Sequence, residues 1–483
     1  MRARLFTPEN RKWWTLVAVA VGLFMIMLDN TVVNVALPSI QQDLGIGISE
    51  LEWVVNAYAL TFGVLLLTGG KLADLLGRRA IFIAGLVVFT GASLWCGLAG
   101  GPGSLIAART VQGVGAALMN PATLSIITAT FPPKERGQAI GIWAGVSALA
   151  LAIGPLLGGL IVDNINWHWI FYVNVPVGVV GIVVSYFFIK ESRDTSHEQS
   201  IDLPGLVTSG ASLLALSYAL IEGNNHGWTS PEILGLFAGA AVLLAAFILL
   251  EMRQRLPMLD LSLFKIGSFV GANLVAMLVS LGMFGVFFYI SLYVQNILGY
   301  SPTKAGAIFL PMTILIILVA PIAGKLSDRI GSRWLMGAGM GILGVSLLLY
   351  QRIGLHTGFW SLLPQLLLGG LGMALTMSPM TSAAMGSVPI DKAGVGSGVL
   401  NSFRQVGGSL GIAVLGTVAA TVTTSQLRNG PLTRAALSNG LTAGYAMAFE
   451  IASGIAFAGF LVALVTIRRR KVTVTPESEG IAA

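Results

Sequence analysis

The sequence predicts an all-α, polytopic membrane protein. Three observations carry that reading. Of the 483 residues, 55% are hydrophobic and only 10% are charged. The apolar residues also gather into runs of membrane-spanning length, separated by short polar turns. A soluble domain carries about 25% charged residues, and a chain with so little charge could not stay dispersed in water. The composition argues equally against disorder, collagen and a disulfide scaffold. The single Cys96 allows neither an internal disulfide nor a cysteine metal cluster.

In order, helices are expected at 14–37, 53–72, 80–99, 104–130, 138–162, 169–189, 205–221, 232–250, 268–290, 305–324, 334–351, 361–383, 394–421 and 445–467. Fourteen spans of about 21 residues occupy about 294 residues, which the length accommodates. The first run begins at the interfacial anchors Trp13 and Trp14. It is too long for a signal-peptide core and is expected to be retained. The 104–130 and 394–421 runs exceed one bilayer thickness and are expected to tilt or to extend beyond the lipid.

The turns between the runs alternate in charge, and that alternation orients the chain. With the N-terminus in the cytoplasm, 22 of the 28 lysines and arginines fall on the cytoplasmic side, among them Lys71, Arg78, Arg79, Lys134, Arg136, Lys325, Arg329 and Arg333. Four fall outside: Lys304, Arg352, Arg428 and Arg434. The positive-inside rule then predicts both termini in the cytoplasm. The net charge of +7 reflects this asymmetry. No basic block alternates with exposed aromatics, so nucleic acid is not an expected partner.

An internal repeat divides the chain. Gly70-Lys-Leu-Ala-Asp-Leu-Leu-Gly-Arg-Arg79 follows the second run, and Gly324-Lys-Leu-Ser-Asp-Arg-Ile-Gly-Ser-Arg333 follows the tenth. Six of the ten positions are identical, and both copies lie on the same side. Two halves of like orientation imply a parallel repeat about an axis along the membrane normal. The spacing gives six helices, two inserted helices and six helices. The expected division is a first bundle at 1–195, the inserted pair with its linkers at 196–260, a second bundle at 261–469, and a disordered cytoplasmic tail at 470–483. The chemistry of the repeated turn suits a cytoplasmic gate built from Gly70, Asp74, Gly77, Arg78 and Arg79, with Asp328 and Arg333 in the second copy. Glycine permits close crossing or φ > 0. Asp74 can accept from a helix N-terminus and pair with Arg78 or Arg79.

The first turn resembles the loop signature of the major facilitator superfamily. Leu28-Asp-Asn-Thr-Val-Val-Asn-Val-Ala-Leu-Pro38 is similar to the first-helix signature of its fourteen-helix drug:H⁺ antiporter branch, the EmrB/QacA type. Arg109-Thr-Val-Gln112-Gly113-Val-Gly115 resembles the fourth-helix arginine motif. Gly145, with Gly154-Pro155-Leu-Leu-Gly158-Gly159, resembles the antiporter motif of the fifth helix. The Trp167–Gly178 stretch is similar to the sixth-helix entry, with His168 where that pattern carries Arg. Gly299-Tyr-Ser301-Pro302-Thr-Lys-Ala305-Gly306 fits the second half. The resemblance covers residues 13 to 467. It implies the major facilitator fold and proton-driven export of small molecules by alternating access between two bundles. The expected setting is the cell (inner) membrane, with no cofactor and a single chain as the functional unit.

Individual residues sharpen the expectation. Asp29 lies about 22 Å into the first helix, where an unpaired carboxylate costs at least about 2.5–3.5 kcal/mol. Arg109 lies at matching depth in the fourth helix, so an Asp29–Arg109 pair is the expected proton-coupling site. Asn30, Asn34 and Gln112 are placed around it as a polar network. Arg404 and Gln405 in the thirteenth helix, and Glu450 in the fourteenth, are expected in a substrate or polar cavity. Gly141, Gly145, Ala148, Ala152, Pro155 and Gly159 recur every three or four residues, forming one small-residue face for close helix approach. Glu222, beside Gly223-Asn-Asn-His226, reads as a membrane-interface residue. The four histidines lack ligand spacing, so no metal is expected.

These features exclude two classes. No H-E-x-x-H or nucleophile–base pattern lies at membrane depth, so an intramembrane enzyme is not expected. No phosphate-binding G-x-x-x-x-G-K-[ST] occurs, because both Gly-Lys pairs precede Leu. The expected function is proton-coupled multidrug efflux of amphipathic or cationic compounds. The alternative is an exporter dedicated to one lipid, peptide or metabolite.

Overall fold

The computed structural model describes residues 8–193, 202–254, 257, 259, 261–388, 393–428 and 433–467. The expected tail at 470–483 lies outside these residues, as does the side chain of Asp328. Among the described residues the architecture is all helical. The fourteen long elements are α1 (Pro8–Leu44), α2 (Ile48–Leu76), α3 (Arg78–Gly97), α4 (Pro102–Thr130), α5 (Pro133–Asn164), α6 (Trp169–Phe188), α7 (Leu203–His226), α8 (Pro231–Arg253), α9 (Gly267–Leu292), α10 (Pro302–Ser327), α11 (Ser332–Leu349), α12 (Phe359–Gly386), α13 (Ala393–Leu427) and α14 (Arg434–Thr466). Thirteen of them are long and apolar enough to cross a membrane. The other, α4, has the length, but its Arg109, Gln112 and Asn120 make it less apolar. The largest boundary differences from the sequence reading are at α1, which runs on to Leu44, and α14, which begins at Arg434.

Local chemistry explains where these helices start and stop. Asp202, Ser230, Ser301 and Thr433 each accept a backbone N–H three residues on, capping α7, α8, α10 and α14. The repeated turns end α2 at Gly77, with φ +118°, and α10 beyond Ile330 at Gly331, with φ +90°. Any side chain with a Cβ is strained there, which is why both copies of the repeat place glycine at that step.

Helices α1–α6 pack on one another as one bundle and α9–α14 as a second. Fully buried aromatics anchor each, Phe82, Phe89 and Phe131 in the first and Phe269, Phe288 and Tyr350 in the second. The inserted helices α7 and α8 pair with each other, and α7 lies against both α2 and α13, across the line where the bundles meet.

The bundles meet along α2 and α13, where Gly63 faces Gln405 and Gly398 abuts Leu67, and they close most tightly at the end of the molecule opposite the Gly70–Arg79 turn. There α5 meets α10 so closely that a Cβ at Gly159 would collide with the Pro302 carbonyl, and one at Gly306 with that of Pro155. The Asp163 Oδ2 accepts the Thr303 backbone N–H at 2.9 Å, and Gln295 Nε2 donates to the Val35 carbonyl at 2.9 Å.

Candidate functional site

The centre of the first bundle holds one buried charge pair. Arg109 Nη1 stands 2.6 Å from Asp29 Oδ2, and both side chains are almost completely buried. Arg109 is held from three sides. Its Nη1 also donates to Gln112 Oε1 at 2.6 Å, its Nε donates to the Val54 carbonyl of α2 at 3.1 Å, and its guanidinium lies over the Tyr58 ring at 4.2 Å. Gln112 Nε2 lies within hydrogen-bond distance of Asp29 Oδ1, at 3.0 Å, and of Ser93 Oγ, at 2.7 Å. Asn174 of α6 donates to the same Ser93 oxygen at 3.3 Å. The pair therefore ties α1, α2, α3, α4 and α6 together through polar groups that satisfy one another, as buried charges require.

The glycines of the arginine motif make this geometry attainable. A Cβ at Gly113 would lie 2.7 Å from the Tyr58 carbonyl oxygen, and one at Gly115 would lie 2.5 Å from the Phe89 nitrogen. Their absence lets α4 sink between α2 and α3, and that depth brings Arg109 to Val54 and Gln112 to Ser93.

Other expected site residues fall in different places. Asn30 and Asn34 donate to carbonyls of their own helix, those of Ile26 and Asn30, each at 2.9 Å. Gln112, Ser93 and Asn174 supply the network around the pair instead. Gln405 is buried where α13 meets α2, with its Cβ facing Gly63. Arg404 is half-buried and has no ion-pair partner among the described residues. Glu450 is exposed on the stripe of α14 that carries Met447, Ile451 and Leu461. It does not occupy the interior position expected, because the packed faces of α14 are its glycine, alanine and aromatic positions.

On α5 the small-residue face divides. Gly154 abuts Thr31 and Gly158 abuts Val32 of α1, while Pro155 and Gly159 meet α10. Gly145 has open space beside it. At the repeated turn Asp74 pairs with Arg78 at 2.8 Å, and Arg78 reaches the Ser125 carbonyl of α4 at 3.5 Å. Gly70 packs against Pro121. The α3 N-terminus is capped not by Asp74 but by Glu191, which accepts the Arg79 and Ala80 backbone N–H groups at 3.0 and 3.1 Å. Arg79 extends to the Ile189 carbonyl. In the second copy, Arg333 lies over the Trp334 ring. Glu222 bonds Trp53 Nε1 at 3.1 Å and Asn225 at 2.8 Å, fastening α7 to α2.

Sequence reasoning missed Ser93, Tyr58, Glu191 and Glu52. Glu52 is the most consequential, being 3% exposed and bonded to Tyr289 of the second bundle at 2.9 Å. Its signal was weak: Glu52 closes the polar stretch Ile48-Ser-Glu-Leu-Glu52 ahead of the apolar run that begins at Trp53, and only the fold shows that the helix starts at Ile48 and buries it.

Two six-helix bundles of like topology, a buried ion pair in one and a closed seam at one end define a multi-pass membrane transporter. The chain belongs to the Major Facilitator Superfamily, whose model matches residues 19–412. It is 37% identical over 468 residues to the puromycin resistance protein pur8 of Streptomyces alboniger, covering 96% of this chain and 93% of that one. It is 39% identical over 409 residues to the multidrug resistance protein Stp of Mycobacterium tuberculosis, covering 84% and 75%. It is 35% identical over 412 residues to the tetracenomycin C resistance and export protein of Streptomyces glaucescens, covering 85% and 77%. Among solved structures, a bacterial homologue of the human lysosomal transporter Spinster, inward-facing and unoccupied, superposes with a TM-score of 0.68 at 17% identity, covering 95% of this chain and 98% of that one.

Proposed function

We propose that the protein is a proton-coupled efflux antiporter of the cell (inner) membrane, exporting amphipathic compounds, cationic ones included, by alternating access. Both termini face the cytoplasm, so the seam at Asp163 and Thr303 closes the outer end. The observation that carries the reading is the Asp29–Arg109 pair. With Asp29 ionised the pair is neutral overall. Protonating Asp29 leaves one buried positive charge and frees an Arg109 N–H, a state the surrounding packing cannot tolerate without rearranging. That makes the pair a natural point at which a proton changes the preferred conformation. The gradient suffices: one charge across 100 mV supplies about 2.3 kcal/mol. In this reading a single chain is the working unit.

The test is uptake into proteoliposomes under an imposed pH gradient. Accumulation of substrate against its own gradient supports the reading, and transport that only equilibrates substrate sinks it. A second reading, an exporter dedicated to one compound, gains support from relatives named for single antibiotics such as puromycin and tetracenomycin C. A growth-inhibition panel in an efflux-deficient host separates the two by whether one compound or many are resisted.

A further inference from the structure

The seam between the bundles contains a carboxyl group that the Asp29–Arg109 mechanism does not use. Glu52 lies on α2, one turn in from the closed end, and is 3% exposed. Tyr289 of α9, fully buried, places its Oη 2.9 Å from Glu52 Oε1 and 3.1 Å from the Ile412 carbonyl oxygen of α13. Gly416, one turn beyond Ile412, leaves the space for them, since a Cβ there would collide with both the carboxylate and the Tyr289 hydroxyl. The titratable groups facing Glu52 are Tyr289 of α9, Tyr445 of α14 and Glu222 of α7. None of them is a cation, and among the described residues Glu52 has no ion-pair partner.

The hydrogen-bond count decides the protonation state. The Tyr289 hydroxyl has one proton and two acceptors in reach, and a carbonyl can only accept. A protonated Glu52 satisfies everything: its O–H donates to Tyr289, whose O–H donates to Ile412. An ionised Glu52 would leave a buried negative charge with a single neutral donor and a like charge, Glu222, nearby, an arrangement that is costly in a closed seam. Opening the seam would separate Glu52 from Tyr289 and admit water, which solvates the carboxylate.

We propose that Glu52 is a second protonation site of the transport cycle, a latch that binds a proton as the α2–α9–α13 seam closes and releases it to water as the seam opens. This rests on the proton-driven reading above and adds a site to it. Because closing binds a proton, lowering the pH favours the closed end, by at most about tenfold in the closed-to-open ratio per pH unit for one proton.

The experiment uses the full chain in liposomes without substrate or gradient, spin-labelled at Gln42→Cys and Arg352→Cys, both exposed at the seam end. Inter-label distances are measured from about pH 5 to about pH 9. The wild-type background should shift from short to long distances as pH rises, changing the ratio about tenfold or more. Glu52→Gln, which cannot ionise at this position, should lose the share of the shift that Glu52 carries and keep only the response of the Asp29–Arg109 pair. Tyr289→Phe removes the hydroxyl that stabilises the closed, protonated state, so its midpoint should fall to lower pH. A wild type that does not respond to pH, or a Glu52→Gln protein that responds as wild type does, overturns the latch. If Glu52→Gln does not fold, an unmoved midpoint in Tyr289→Phe overturns it as well. Uptake by unlabelled wild-type protein under a pH gradient, measured in parallel, reports on proton drive alone, so the two ideas fail separately.

Discussion

The Arg109 guanidinium donates through Nε to the Val54 carbonyl at 3.1 Å while its Nη1 holds Asp29 at 2.6 Å. One side chain therefore grips both the acid of α1 and the backbone of α2. Val54 lies two residues from Glu52 on the same helix, so in the proposed cycle a change in the buried pair would bear on the helix that lines the seam. Coupling between a proton site and a bundle movement needs such a contiguous element with two arrangements.

The first prediction concerns this pair. Asp29→Asn mimics the protonated acid permanently, so substrate accumulation driven by a pH gradient should fall about tenfold or more while passive exchange persists. The loss corresponds to at least about 1.4 kcal/mol of coupling. Arg109→Lys keeps the charge but cannot serve Asp29, Gln112 and Val54 from one planar fork, and should lose nearly as much. Arg109→Ala leaves a buried carboxylate unpaired and should cost about 3–5 kcal/mol of stability. Uptake assays and thermal unfolding of purified protein check each. A Asp29→Asn protein that still concentrates substrate at the wild-type rate would move the coupling site elsewhere.

The second prediction separates packing from chemistry. Gly113→Val should force α4 away from the Tyr58 carbonyl and with it lift Arg109 from Val54. Overpacking of this kind costs about 1–3 kcal/mol. Gly145→Ala, with open space beside it, should leave the melting temperature and transport unchanged. Equal losses in both would contradict the idea that the arginine motif's glycines act by close approach.

How much of this was legible in the sequence depended on what each residue answers to. Asp29 and Arg109 stood out because charge at membrane depth has few explanations, and helix rise alone placed them at equal depth. The glycine turns at Gly77 and Gly331 were legible because a repeat pointed to them. Asn30 and Asn34 could not be assigned from the sequence, because helix position does not say whether an amide reaches across or bonds back to its own carbonyls, as both do here. Glu450 was misplaced because the helix was expected to begin at 445; with α14 starting at Arg434 the acid falls at mid-helix, and only the packing of α14 decides which way it faces. Ser93 and Asn174, common polar residues in separate helices, acquire meaning only when folding brings Ser93 to Gln112 and Asn174 to Ser93.

The third prediction is topological. Asn225 is exposed in the last turn of α7, at the end of the molecule that holds the closed seam. If that end is outside, Asn225→Cys should react with a membrane-impermeant maleimide added to intact cells, and Ser196→Cys should react only after permeabilisation. The native Cys96 is buried and should stay silent. Labelling of Ser196→Cys in intact cells would reverse the orientation and place the closed seam in the cytoplasm.

The last prediction concerns the repeated turn. Asp74 and Arg78 pair within one turn of the first bundle, partly exposed, and Arg78 reaches only α4. An exposed i,i+4 pair contributes about 0.3–0.5 kcal/mol, so Asp74→Asn should lower stability very little. In the proposed cycle its effect would belong to the opposite conformation, in which this end closes and the turn would meet the second bundle. A contact made in only one state shifts the equilibrium between the two when it is removed. Asp74→Asn should therefore slow transport several-fold and enrich the conformation described here, with substrate affinity and melting temperature close to wild type. Lys71, which donates to the Pro257 carbonyl beyond the inserted pair, provides the control. Lys71→Gln should disturb the docking of that segment, reducing its protection from proteolysis, which Asp74→Asn should leave intact. Equal transport rates in Asp74→Asn and wild-type protein would show that the turn serves only to cap and orient α3, a task the structure already assigns to Glu191.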